Sequence, residues 1–167
     1  MLQDTTDEAD ELFAALADLE QPIVFVYPNA DAGSRELIHK AEEFAARRGS
    51  RVLVHLDHRT YLSLLNNVGV LVGNSSSGII ESTSLEVPAV NVGIRQLGRE
   101  HAANVIDVPA ERKAISKAID RALTAQFRQS IRELENPYGG GNASKIITKT
   151  LLNAPLGKKL LFKRARE

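Results

Sequence analysis

The chain has 167 residues, with 21 Lys plus Arg against 21 Asp plus Glu, so its formal net charge is zero. That balance gives no electrostatic reason to expect nucleic acid or an acidic membrane surface as partner. There are no cysteines, which excludes disulfides and thiolate metal sites.

Hydrophobic residues at 43% and charged residues at 25% suit a soluble globular domain. The length favours one domain with a real core. No apolar run approaches the roughly 20 residues of a membrane span. The acidic start from Met1 to Glu11 does not read as a secretory signal, so the expected location is cytoplasmic.

In chain order, Thr6 to Leu19 places Leu12, Phe13, Leu16 and Leu19 at helical spacing. After Pro22, Ile23 to Tyr27 is a continuous β-rich run, the pattern of a parallel strand buried on both faces. Pro28 to Gly33 is a turn. Ser34 reads as the N-cap of a helix through Arg48 that Gly49 closes. Arg51 to Leu56 predicts a strand, Thr60 to Asn67 a short helix, and Val68 to Val72 a third strand. A serine-rich turn follows, then a short helix from Ile79 to Leu85. Pro88 to Val92 and Asn104 to Val108 predict two more strands. Pro109 or Ala110 to Leu123 and Ala143 to Leu152 read as helices. The expected fold class is α/β: a Rossmann-like, mostly parallel sheet with helices on both faces. The expected division is one domain over 1–153 and a basic tail over 154–167. That tail reads as a solvated amphipathic helix, with membrane-surface contact as the alternative.

Ligands in such sheets bind beyond the carboxyl ends of the strands. Three turn-rich segments fall there: Pro28 to Gly33, Gly73 to Gly78, and Gly93 to Arg99. The second is the most informative. A strand that turns into a helix through Gly73-Asn74-Ser75-Ser76-Ser77-Gly78 leaves backbone N–H groups free at the helix start, and these attract phosphate. The plainer reading is a tight turn with serine caps. The segment is neither a P-loop nor a dinucleotide fingerprint. Glu81, placed in the first helical turn, is a carboxylate beside an anion site; a ribose diol suits it, and so does a solvated first-turn acid. Arg95 and Arg99 flank Gly98 and read as a phosphate clamp or a surface pair. Asn29 and Asp31 lie in a turn that Asx side chains stabilise by themselves. His55 and His58 bracket a loop without a third metal ligand, so no metal is expected; His39 and His101 have no ligand-spaced partner. No Ser/His/Asp arrangement can be argued.

Taken together and in order, Tyr27-Pro28-Asn29-Ala30-Asp31-Ala32-Gly33-Ser34, Gly73 to Glu81, Val90 to Arg99, and Asn136-Pro137-Tyr138-Gly139-Gly140-Gly141-Asn142-Ala143-Ser144 resemble the UDP-N-acetylglucosamine 2-epimerases. The Asn-Ser-Ser-Ser-Gly turn with Arg-Gln-x-Gly-Arg is similar to the hydrolysing branch. The resemblance covers about Gln21 to Leu152 and implies the C-terminal half of a two-domain GT-B enzyme. It implies a hydrolysing reaction, UDP-N-acetylglucosamine plus water to N-acetylmannosamine plus UDP, in sialic or related nonulosonic acid synthesis. By motif position, Ser75 and Ser76 would bind the diphosphate with the helix-start amides, and Glu81 the ribose. Arg95 would offset phosphate charge, Asn29 would reach toward diphosphate or sugar, and the His55 to Arg59 loop would hold uracil. No cofactor is implied. The catalytic carboxylates belong to the other half, which is expected to be absent; Asp31, Asp57 and Asp107 are present, with nothing to favour any as base. The implied partners are UDP or a UDP-N-acetylhexosamine, the missing half, and, as an open alternative, further copies of the chain. A UDP-sugar glycosyltransferase half and a non-catalytic binding fragment are the rival readings.

Overall fold

The computed structural model describes residues 2–27, 34–54, 56–155 and 157. The element order is α1 (Leu2–Ala17), β1 (Val24–Val26), α2 (Ser34–Arg48), β2 (Arg51–Leu53), α3 (His58–Leu65), β3 (Leu71–Gly73), α4 (Ser77–Ser84), β4 (Ala89–Val92), β5 (Val105–Val108), α5 (Arg112–Leu123), α6 (Ala125–Ser130) and α7 (Ala143–Asn153). The chain divides into two units, Met1–Pro137 and Tyr138–Glu167. The strand-helix alternation expected from sequence is present, and all strand pairing is parallel. The hydrogen bonding forms two ladders, β1-β2 and β3-β4-β5, rather than one continuous sheet.

β4 is the centre of the first unit. All four of its residues are buried, and it lies between β3 and β5 in the register Gly73↔Asn91↔Asp107. Alternation along the strand sends Val90 and Val92 into a core with Ala15 and Leu16 of α1 and Ile115, Ala118, Ile119 and Ala122 of α5. Ala89 faces the other way, toward α4. A β carbon at Gly78 would lie 3.5 Å from Ala89 Cβ and 3.6 Å from Leu71 Cδ2, in ordinary contact, so the start of α4 packs directly on the sheet.

β1 departs from the expectation of burial on both faces. Phe25 packs into an aromatic cluster with Phe13 and Phe44, at centroid distances of 5.5–5.7 Å. On the other face Val24 and Val26 are 39% and 41% exposed. The β-rich run specifies a strand, but whether a layer covers each face depends on elements far away in sequence.

Long-range polar contacts fix the helices. Arg48 of α2 donates to the Leu16 and Ala17 carbonyls at 2.7 and 2.8 Å, and to that of Leu19, satisfying acceptors that the end of α1 leaves open. Glu111 makes no side-chain cap for α5; Glu11 of α1 accepts from the Arg112 amide at 2.6 Å instead. Behind α4, the fully buried Asn104 accepts from Thr83 Oγ1 at 2.8 Å. Its Nδ2 donates to Ser82 Oγ at 2.8 Å and to the Val87 carbonyl at 2.9 Å. Asn136 donates to the Ile80 carbonyl and Ser84 Oγ, both at 2.7 Å.

In the second unit, α7 follows Asn142, whose carbonyl accepts from the Ile146 amide at 3.1 Å. Its Ile146, Ile147, Leu151 and Leu152 are exposed. The tail from residue 158 onward lies outside the described residues. Among the described residues no helix is long and apolar enough to cross a membrane.

Truncating Asn104 to Ala should strand the Val87 carbonyl in a dry interior and leave Ser82 Oγ with only its bond to the Gly78 carbonyl. Urea denaturation should register a loss of about 2–3 kcal/mol. An unchanged midpoint would mean that Asn104 does not hold α4.

Candidate functional site

The site forms where β3 and β4 end. Because Gly73 and Asn91 are in register, the turn after β3 and the loop after β4 leave the sheet at the same level. Two side chains join them. Arg95 Nη1 donates to the Asn74 carbonyl at 3.0 Å, and Gln96 Nε2 donates to the same oxygen at 2.7 Å. Gly93 and Gly98 take φ of +78° and +81°, which lets residues 93–99 fold back as a tight loop. A side chain at Gly93 would also meet α1, since its β carbon would stand 2.8 Å from Glu8 Oε1. Two of the three segments expected to converge therefore do so. The third, residues 28–33 with Asn29 and Asp31, lies outside the described residues, as does His55.

The serine turn differs from its expected form. α4 begins at Ser77 rather than Ile79, because Ser76 already takes a right-handed helical conformation (φ −60°, ψ −21°). The first-turn amides are consequently occupied. Ser77 N–H reaches Ser75 Oγ at 3.3 Å, Gly78 N–H the Ser75 carbonyl at 3.1 Å, and Ile79 N–H the Ser76 carbonyl at 3.0 Å. The donors without an acceptor among the described residues are one step earlier, the amides of Ser75 and Ser76. Ser75 is exposed and Ser76 half-buried, and the Ser76 hydroxyl makes no cap bond. Ser77 turns inward instead, accepting from Tyr61 Oη at 2.5 Å.

The earlier helix start also moves Glu81 out of the first turn into the second. Its Oε2 is buried without a hydrogen-bond partner among the described residues. A buried carboxylate oxygen left bare is costly, so Glu81 is not the fully solvated first-turn acid of the plainer reading.

His58 is the first residue of α3 and is exposed, so the predicted His55 to Arg59 loop is partly helix. Asp57 explains the shift. As N-cap it accepts from the Arg59 and Thr60 amides at 3.0 and 3.1 Å and from Thr60 Oγ1 at 2.5 Å. Asp107 is likewise engaged, accepting from Asn91 Nδ2 at 2.7 Å and lying 2.8 Å from His101 Nε2. Two of the three candidate aspartates thus have structural partners. Among the described residues no group of three or more His, Cys, Asp or Glu could hold a metal.

The Thr60 hydroxyl, then the Thr60 and Arg59 amides, hold the Asp57 carboxyl below its ordinary value of 3.8. A depressed folded value means that the cap contributes in full above the ordinary range and is lost as pH falls through the folded value. Carbon-detected NMR titration should find the Asp57 midpoint below that of an unstructured aspartate, and Thr60→Ala should raise it. A midpoint at the ordinary value would break the cap assignment.

Comparison with known proteins places this geometry in context. A family model described as UDP-N-acetylglucosamine 2-epimerase matches residues 2–152. Similar curated proteins include the polysialic acid biosynthesis protein P7 of Escherichia coli, 36% identical over 84% of this chain and 37% of its own. The UDP-N,N'-diacetylbacillosamine 2-epimerase (hydrolyzing) of Legionella pneumophila is 37% identical over 90% of this chain and 38% of its own. Among solved structures, the Methanocaldococcus jannaschii UDP-GlcNAc 2-epimerase in complex with UDP-GlcNAc and UDP superposes with a TM-score of 0.68. It shares 14% identity, over 90% of this chain and 41% of that one. The Neisseria meningitidis UDP-GlcNAc 2-epimerase bound to UDP-GlcNAc gives 0.59 at 18% identity, over 89% and 41%. The fold is therefore the Rossmann-like half of a GT-B enzyme, and the chain spans about two fifths of the length of these relatives.

Proposed function

We infer the function from one premise: the chain belongs to the UDP-N-acetylglucosamine 2-epimerase family. We propose that it is the UDP-binding half of a hydrolysing member, which turns UDP-N-acetylglucosamine or a diacetamido relative and water into UDP and the sugar inverted at C2. The observation that carries this reading is the junction of β3 and β4. Open amides at Ser75 and Ser76, their hydroxyls and the Arg95 guanidinium meet at one turn, and Glu81, with a bare buried oxygen, lies on the helix that this turn opens. The hydrolyzing diacetamido relative from Legionella and the polysialic acid protein from Escherichia coli support the hydrolysing branch and a role in nonulosonic acid synthesis.

In this reading the diphosphate lies against Ser75 and Ser76, Arg95 offsets its charge, and Glu81 accepts from the ribose hydroxyls. Asn29 reaches the diphosphate or sugar, and the segment from His55 to His58 borders uracil. As the sugar C1–O bond breaks, negative charge grows on the departing phosphate oxygen. Donors already aimed at that position strengthen their bonds in the transition state, which lowers the barrier. Proton transfer at C2 needs a base within hydrogen-bond reach of carbon-bound hydrogen. Asp57 and Asp107 are committed to a helix cap and a strand-edge pair. The proton-transfer carboxylates are assigned to the part of the relatives that this chain does not match, so complete turnover requires that part.

Calorimetric titration of the folded chain with UDP should give saturable binding with a single site. Glu81→Ala should weaken UDP about ten-fold, the worth of a charge-assisted bond of roughly 1.5 kcal/mol, and leave inorganic pyrophosphate nearly unchanged. Absence of UDP binding at millimolar ligand would overturn the reading, and equal losses for both ligands would remove Glu81 from the ribose.

A further inference from the structure

We propose that Gln96 is a positioning residue: through the Asn74 carbonyl it aims the Ser75 N–H at the anion that the serine turn receives. The inference rests on the reading of that turn as a diphosphate site and adds a device that sets its donors before ligand arrives.

Gln96 is out of character with its loop. Its neighbours Ile94 and Leu97 are 76% and 84% exposed, whereas Gln96 is 5% exposed. Burying a primary amide is costly unless its groups are bonded. One of them is: Nε2 donates to the Asn74 carbonyl at 2.7 Å, across 22 positions of sequence. The other, Oε1, is buried without a partner among the described residues. The amide cannot be turned round to relieve this, since Oε1 would then face the Asn74 oxygen, acceptor against acceptor. The side chain is thus held for its contact with Asn74 at the expense of its own second bond.

That contact has a geometric consequence. The Asn74 C=O and the Ser75 N–H belong to one planar trans peptide and point in opposite directions. Drawing the oxygen toward the loop after β4 turns the N–H away from that loop, and Ser75 itself is exposed. Among the described residues that N–H has no acceptor. Arg95 Nη1 shares the Asn74 oxygen at 3.0 Å, but Arg95 is exposed and its charge is the group that would turn to phosphate. Gln96 is buried and neutral. It keeps the carbonyl in place whether or not Arg95 leaves, so orientation and charge are supplied by separate side chains.

The test compares the whole chain with Gln96→Met, which keeps length and apolar packing but removes the donor, and with Gln96→Leu, which removes both polar groups of the amide without adding charge. Three readouts are taken: calorimetric titration with inorganic pyrophosphate, the Ser75 amide resonance of the ligand-free protein, and Tm. In both variants pyrophosphate should weaken about ten-fold, about 1.4 kcal/mol. The Ser75 amide should shift while Tm stays near the parent value. A parent chain that does not bind pyrophosphate overturns the diphosphate site itself. A parent that binds, with variants that bind equally well or leave the Ser75 amide unmoved, overturns the positioning role alone. Variants that both fail to fold, or that lose Tm in step with affinity, make Gln96 a scaffold residue and also overturn it.

Discussion

The site depends on β4 being held in register between β3 and β5. Four buried residues in a row leave that strand no freedom to slide. A shift by one residue would send Val90 and Val92 away from Ile115 and Ile119 and toward α4. With Gly73 level with Asn91, the turn that opens α4 and the loop that follows β4 emerge side by side. Only then do Arg95 and Gln96 reach the Asn74 carbonyl. The packing of α1 and α5 on one face and of α4 on the other is therefore what places two separate loops around a single peptide group.

Support for that geometry comes from polar groups inside the fold as much as from apolar burial. Asn104 bonds three groups around α4 from beneath, and Asn136 bonds two on its later turns. Together they fix the helix whose first residues border the serine turn. Glycine serves a different purpose. Gly93, at a φ of +78°, leaves room for the Glu8 carboxylate while the chain turns back.

Much of the fold was legible because each segment carried its own signal. The run from Ser34 to Arg48 ends at Gly49 with a φ of +67°, as a left-handed cap requires, and Pro88 to Val92 reads directly as a buried strand. The failures share a cause. Val24 and Val26 are β-rich like any buried pair, and nothing local tells whether a layer covers them. Ser77 and Gly78 suit a cap or a helix equally, so the start of α4, and with it the turn that holds Glu81, was set by the surrounding packing. Helix α6 is six residues long and too short for a periodic signal, although Thr124 caps it by accepting from the Phe127 amide at 3.2 Å. For the candidate site, Ser75, Ser76, Glu81 and Arg95 were nominated by motif, and their roles belong to the proposal. Gln96 was passed over because a glutamine between arginine and leucine in a glycine loop looks like surface, and its burial is created by a contact with Asn74. Asn29 and His55 lie outside the described residues, so their expected places at the site remain part of the proposal.

The central proposition concerns a single encounter: the diphosphate of a uridine nucleotide against the peptide groups that join β3 to α4. A crystal structure of the chain with UDP bound tests it most directly. Phosphate oxygens within hydrogen-bond distance of the Ser75 and Ser76 amides, with the ribose hydroxyls on Glu81, are expected. UDP seated elsewhere, or a serine turn that closes its amides on its own carbonyls when ligand is present, would contradict it.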